Sequence, residues 1–309
     1  MPESAGGVDI VGIGMSILDS IQVVDRFPVG SGVTEASASI LMGGGPVATA
    51  LCAASRLGAQ TMMMDRIGSD WIGERILKSF ADYGVETHEV IVEESRESSL
   101  ATILVRESDG ERHIIFRQGT AATFKEADLA LGLLDQCSIL HLNGRHWSAS
   151  LEAAKRVRAR GGNVSFDGGA HRYQSQWLEL FPHVDVLIVA GEFAEQCSGS
   201  KEVEEQLHHL SQWGAAIVGI TLGDAGSWFR PRDGGIFHQP AISIERVVDT
   251  TGCGDVFHGA FLFAMTRGRE WRECARVASA AAACNAGTLG GRGHLPTWSE
   301  VEVLLEDSN

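Results

Sequence analysis

Basic residues are scarce: 25 Lys and Arg face 40 Asp and Glu, a formal charge of −15 over 309 residues. Such a surface repels phosphate backbones and anionic lipid, which argues against nucleic acid and membrane as partners. A local basic pocket for a small anion remains compatible with it. No run of about 18 apolar residues occurs, so no membrane-spanning helix is expected. The opening MPESAGGVDIVGIG lacks the basic stretch and long apolar run of a secretory signal. The six cysteines (Cys52, Cys137, Cys197, Cys253, Cys274, Cys284) make no CxxC pair and no zinc-finger spacing. Reduced thiols and a cytoplasmic location are therefore expected. Proline is also sparse, at 7, whereas 37 glycines without a repeat period are well above the usual share, so backbone must approach something closely. With 44% hydrophobic and 21% charged residues the chain can fill a core, and its length suits one large domain over 1–309.

The order of elements points to an α/β fold. Val8 to Gly14 is a short apolar strand ending in glycines, and Gly43-Gly44-Gly45-Pro46 opens a helix to about Leu57 with proline in the first turn. Ala59 to Arg66 reads as a strand and Trp71 to Tyr83 as a helix. From Ser138 onward strand and helix alternate through Ala216 to Thr221, which implies a mainly parallel sheet with helices on both faces and ligands beyond the carboxyl ends of its strands. Two β-rich segments, about 16–42 and 88–118, interrupt the pattern; the second holds Val90-Ile91-Val92 and the Asp109-Gly110 hairpin signal. They are expected to pair into a small sheet covering the site.

The densest chemistry lies in Asp249-Thr250-Thr251-Gly252-Cys253-Gly254-Asp255, followed by an apolar helix. Glycines at a helix start leave backbone N–H groups free at the positive end of the dipole, where an anion can bind. An Asp in that first turn can simply complement the dipole. It can also accept a hydroxyl proton while the amides hold charge developing on a transferred phosphoryl group. Three small residues around Asp255 favour the second reading. Cys253 is read as a small residue contributing its N–H, because a thiolate beside an acid and a triphosphate is disfavoured.

The segment resembles the DTxGAGD signature of the ribokinase-like, PfkB-type family of sugar and nucleoside kinases. Further similarities are Gly43-Gly44-Gly45-Pro46 with Ser55-Arg56-Leu57-Gly58-Ala59, then Ile67-Gly68-Ser69-Asp70-Trp71-Ile72-Gly73, and Thr221-Leu222-Gly223-Asp224-Ala225-Gly226. Four motifs in the family's order span nearly the whole chain. The resemblance implies a three-layer α/β/α fold with a β-sheet lid, and ATP-dependent phosphorylation of a hydroxymethyl group with Mg2+. It implies Asp255 as base, the amides of Gly252, Cys253 and Gly254 as anion hole, and Asp19 with Gly43-Gly44 against substrate hydroxyls. Thr221, Gly223 and Gly226 fall beside the nucleotide, and Asp249 and Thr251 where the family often holds a monovalent cation such as K+. Two positions depart from the pattern. Ala48 stands in place of a sugar-contacting Asn. The metal-linked NxxE motif falls near Ala190-Gly191-Glu192-Phe193, leaving Glu192 to act through water.

The GGGP helix start, DTTG-x-GDVFHGA and Gly290-Gly291-Arg292-Gly293 are most similar to the branch containing bacterial sulfofructose kinases. Arginines therefore matter. Arg145, in Asn143-Gly144-Arg145-His146-Trp147, follows a strand at the expected ligand edge and can grip an anionic substituent bidentately. Arg117 ends a lid strand, and Val33 stands where a sulfonate-binding lid would carry a basic residue. His258 reads as a satisfied core histidine. A nucleoside kinase is an alternative, although only Phe27 and Phe116 lie near the lid to sandwich a base. A non-catalytic sugar or nucleotide sensor on the same fold is another, disfavoured by the intact Asp255 and its glycines. The lid, exposing strand edges, is expected to form a homodimer contact.

Overall fold

A computed structural model describes residues 7–307; residues 1–6 and 308–309 of the expected domain lie outside the described residues. In chain order the elements are β1 (Ile10–Ile13), β2 (Ile17–Val24), β3 (Ala36–Gly44), α1 (Pro46–Leu57), β4 (Thr61–Gly68), α2 (Trp71–Tyr83) and β5 (Val90–Glu93). Next come β6 (Ser99–Arg106), β7 (Arg112–Arg117), α3 (Leu131–Leu134), β8 (Ile139–Leu142), α4 (Trp147–Ala159), β9 (Asn163–Gly168) and β10 (Val186–Ala190). The chain continues through α5 (Gly191–Ser198), α6 (Val203–Ser211), β11 (Ile217–Thr221), β12 (Ser227–Pro231) and β13 (Phe237–Gln239). It closes with α7 (Cys253–Thr266), α8 (Trp271–Ala286) and α9 (Trp298–Asp307).

Short apolar runs make strands buried on both faces, as a parallel sheet requires. The large sheet has the order β13-β12-β11-β10-β9-β8-β1-β4-β5 and is parallel except for β12 and β13, an antiparallel edge. Alternate residues feed two cores. In β10, Val186 and Ile188 join the core beneath α1, α2, α7 and α8, while Leu187 and Val189 join the one beneath α4, α5 and α6. From β1 the sheet grows one way through β4 and the other through β8, so loops part above this strand. A crevice opens there at the carboxyl ends.

The small sheet, ordered β3-β2-β6-β7, draws on both β-rich segments: β2 pairs in parallel with β6, and each takes an antiparallel partner. Ile21, Ala101, Ile103 and Val105 bury one face against Met42 and Leu289. Val90–Glu93 differs from the expectation that put it in this sheet: β5 pairs in parallel with β4 at the edge of the large one. The crossover through α2 returns the chain alongside β4. Residue type alone announces a strand without naming its partner.

Candidate active site

Helix α7 begins with Gly252 in the left-handed region at φ 71°, where a side chain would also strike the Gly291 backbone. The Cys253 amide donates back to the Thr250 carbonyl at 3.3 Å, and Val256 N–H reaches the Gly252 carbonyl at 2.8 Å. Of the expected amides, those of Gly252 and Gly254 make no backbone bond, Cys253 spends its N–H on Thr250, and the Asp255 amide is also unbonded. A side chain added at Gly254 would meet nothing within 4 Å, so this face of the loop is open.

Asp255 sits half-buried in that turn, its carboxyl held up at about 7 first by burial and then by the nearby charge of Asp167, with Arg172, His258 and Arg292 pulling the other way. Asp167, at the end of β9, is buried; Oδ1 lies 3.4 Å from His258 Nε2 and Oδ2 3.7 Å from Arg172 Nη1. Burial alone would raise it, but His258 and Arg172 outweigh burial and hold it well below the usual carboxylate range. His258 is buried, as expected, yet Nε2 faces Asp167 and Nδ1 has no partner among the described residues. Its ring packs 5.5 Å from that of His141, which burial and His258 push down to about 3. Burial raises the Cys253 thiol to about 11, so it stays protonated and its sulfur is no nucleophile at neutral pH.

On the other side of the crevice, Asp19 from β2 stands beside Gly44, the last residue of β3, closely enough that any side chain on Gly44 would strike its carboxylate. Burial raises Asp19 to about 6, against the pull of Arg292. Arg292 is itself buried: Nε donates to Thr49 Oγ1 (3.0 Å), Nη1 to Ser79 Oγ (3.1 Å) and Nη2 to the Gly44 carbonyl (3.1 Å). Sequence reasoning saw Arg292 only as part of a signature, and here it holds the end of β3.

Arg145 leaves β8 with its N–H bonded to Asn143 Oδ1 at 3.3 Å, and its guanidinium has no recorded partner among the described residues. It lines a cavity of about 140 Å3 with Ser16, Ser99, Gln118 and His146. Arg172 is near enough to lower its pKa, though less than burial does. His146 takes a left-handed φ of 52° and bonds Asp65 Oδ1 at 2.8 Å, which ties the loop to β4. Arg117 is committed elsewhere, to Glu97 Oε2 at 2.7 Å.

Thr221, Gly223 and Gly226 lie at the carboxyl end of β11, the two glycines at φ 61° and 81° in one tight turn. Glu192, in the first turn of α5, pairs with His171 Nδ1 at 3.0 Å. Asp249 and Thr251 bond each other before α7. Among the described residues, no three His, Cys, Asp or Glu side chains cluster as a metal site. A Mg2+ ion commonly takes one or two carboxylates, its other ligands being phosphates and water, and the half-exposed Glu192 suits that role.

Crevice, helix start and covering sheet together describe a ribokinase-like kinase. The model of the pfkB family of carbohydrate kinases matches residues 8–298, and the chain belongs to that family: it is a phosphotransferase with an alcohol acceptor. A nucleoside kinase of Methanothermobacter thermautotrophicus is 26% identical over 94% of each chain. Fructokinase-1 of Zea mays is 27% identical, covering 98% of this chain and 99% of its own. The structure of Arabidopsis thaliana ribokinase complexed with ribose and ATP superposes at a TM-score of 0.83 and 25% identity, over 97% of this chain and 99% of that one. The chain is thus a sugar or nucleoside kinase of an ATP-using family.

Proposed function

We propose that this enzyme transfers the γ-phosphoryl group of ATP to a hydroxymethyl group of a small sugar derivative that carries an anionic substituent. The observation that carries the transfer step is Asp255 in the first turn of α7, a carboxyl held near neutrality beside unbonded amides. A base whose pKa lies near the working pH takes the acceptor's proton efficiently, and the amides of the Gly252–Asp255 loop receive the charge on the phosphoryl oxygens. Asp19 and the Gly43-Gly44 end of β3 orient the sugar hydroxyls, with Arg292 bracing that strand end. Thr221, Gly223 and Gly226 flank the nucleotide. Mg2+, when bound with the triphosphate, offsets its charge, and Glu192 is the side chain available to it.

Arg145 supports the anionic class: it is a guanidinium without a protein partner among the described residues, next to Arg172, on a cavity formed by the segments after β1, β7 and β8, by residues 65–67 of β4 and by residues 97–99, so that Asp65 and Glu97 share its lining. The branch-level resemblance points the same way, whereas the paucity of lid aromatics weighs against a nucleobase. The test is a screen of the purified protein with ATP and Mg2+ against neutral sugars, sugar acids, sulfosugars and nucleosides, read by ADP release. An anionic sugar is expected to have the highest kcat/KM. Arg145→Ala is expected to raise KM for it by roughly 10- to 150-fold, the cost of a charge-assisted contact, while a neutral ketose changes little. Equal effects on both would return the enzyme to neutral sugars, and a nucleoside as best acceptor would overturn the reading.

A further inference from the structure

The side chain of Asp249 is 1% exposed, in the loop to which the family resemblance assigns a monovalent cation. K+ is typically held by several oxygens that replace its hydration shell, carbonyls above all. Here those oxygens are engaged. Thr251 donates its N–H (2.8 Å) and its hydroxyl (2.6 Å) to Asp249 Oδ1, and Gly290 N–H reaches Oδ2 at 2.9 Å. The Thr251 carbonyl accepts from Asn285 Nδ2 at 3.1 Å, and the Ala286 carbonyl from the amides of Val248 and Asp249 at 2.8 and 3.2 Å. A carbonyl that accepts a hydrogen bond can still offer a lone pair, so an alkali ion is kept out here only if another cation already compensates Asp249.

A cation already stands at this place, and it belongs to the chain. Arg112 Nη1 donates to Thr251 Oγ1 at 2.7 Å and lies 3.8 Å from Asp249 Oδ1. The Thr251 hydroxyl spends its proton on Asp249 and accepts from Arg112 with a lone pair, a self-consistent pattern. Arg112 opens β7, and the turn before it comes up against the same loop, where a Cβ on Gly110 would lie 3.7 Å from the Val248 carbonyl oxygen. A buried carboxylate needs a compensating charge, and a guanidinium supplies one at every working pH.

We propose that Arg112 occupies the place of the monovalent cation, so that this enzyme needs none, and that the small sheet carries this charge to the loop before α7. This rests on the reading of the Gly252–Asp255 turn as the anion hole. Arg112 acts through Thr251 and Asp249 and is a positioning residue. Because it rides on β7, the charge reaches the loop only while the small sheet covers the crevice, which links closure to the set of the amides.

The test compares KCl, NaCl and tetramethylammonium chloride at one ionic strength, reading both turnover and the melting temperature of the nucleotide-free protein. The parent is expected to keep its rate within about twofold in all three salts, with no K+-specific rise in Tm. Arg112→Ala should lose about tenfold or more in tetramethylammonium and recover in KCl, where its Tm should also rise; Arg112→Lys should stay independent of the ion. Stimulation of the parent by K+ of about fivefold or more, or a K+-specific rise in its Tm, overturns the proposal. So does an Arg112→Ala variant whose rate is unchanged, or whose loss K+ does not restore. A parent inactive on every acceptor would instead overturn the proposed function, and the Tm comparison would still decide the ion.

Discussion

Asp255 owes its chemistry to its neighbours. Burial and the charge of Asp167 raise its pKa to about 7, and that second influence persists because His258 and Arg172 keep Asp167 ionised. Two carboxyls with pKa values pushed apart is the pattern expected when one serves as a base and the other as a fixed charge. A base works only when deprotonated, so kcat/KM is expected to fall as pH drops below about 7, approaching tenfold per pH unit. Asp255→Asn keeps the shape and removes the proton acceptor; a loss of roughly 10²–10⁴-fold in kcat is expected, with ATP affinity little altered. Activity within about threefold of the parent, or a flat profile between pH 5.5 and 7.5, would reduce Asp255 to a cap on the helix dipole.

At the scale of elements, the start of α7 has to stay bare. Gly254 faces open space, and a valine there would project two methyl groups toward the place assigned to the phosphoryl oxygens. Gly254→Val is expected to lower kcat/KM by about a hundredfold or more, as the loss of an oxyanion donor does, with the melting temperature within a few degrees of the parent. Unchanged turnover would mean that the turn faces away from the phosphates. This helix start, like that of α1 at Pro46, was legible in the sequence because glycine and proline act locally on φ and on donors. Long-range facts were not. The contact between Arg112 and Thr251 spans 139 positions, and nothing in either neighbourhood announces it. His258 looked like any core histidine until β9 brought Asp167 beneath it, and Val90–Glu93 carried strand character without revealing which sheet it joins. That the Cys253 amide is spent likewise depends on a single turn bond, to the Thr250 carbonyl.

For the molecule as a whole, charge and apolar surface are unevenly spread. A chain of net charge −15 brings Arg145, Arg172 and Arg292 to one crevice beside Asp19, Asp167 and Asp255, and of the three arginines Arg145 is the one whose guanidinium is left for an anionic substituent. The small sheet has the opposite problem. Register sets Leu41, Ser20, Thr102 and Ile115 in one row across its outer face, with Leu41 51% and Ile115 56% exposed, while every residue of the edge strand β7 is open to solvent. A long, apolar, unpaired edge is what monomeric proteins avoid, and pairing two such sheets would cover both. We therefore expect a homodimer of 33.1 kDa chains joined through the small sheets. Light scattering at micromolar concentration should report twice the chain mass for the parent. Ile115→Lys should shift it to the single-chain mass, because a charge in the middle of that row cannot be buried unpaired. If closure over the crevice depends on this contact, the variant should also show a raised KM for the acceptor. A parent that is monomeric and fully active would sink the expectation, and the exposed row would then be a surface turned toward some other partner.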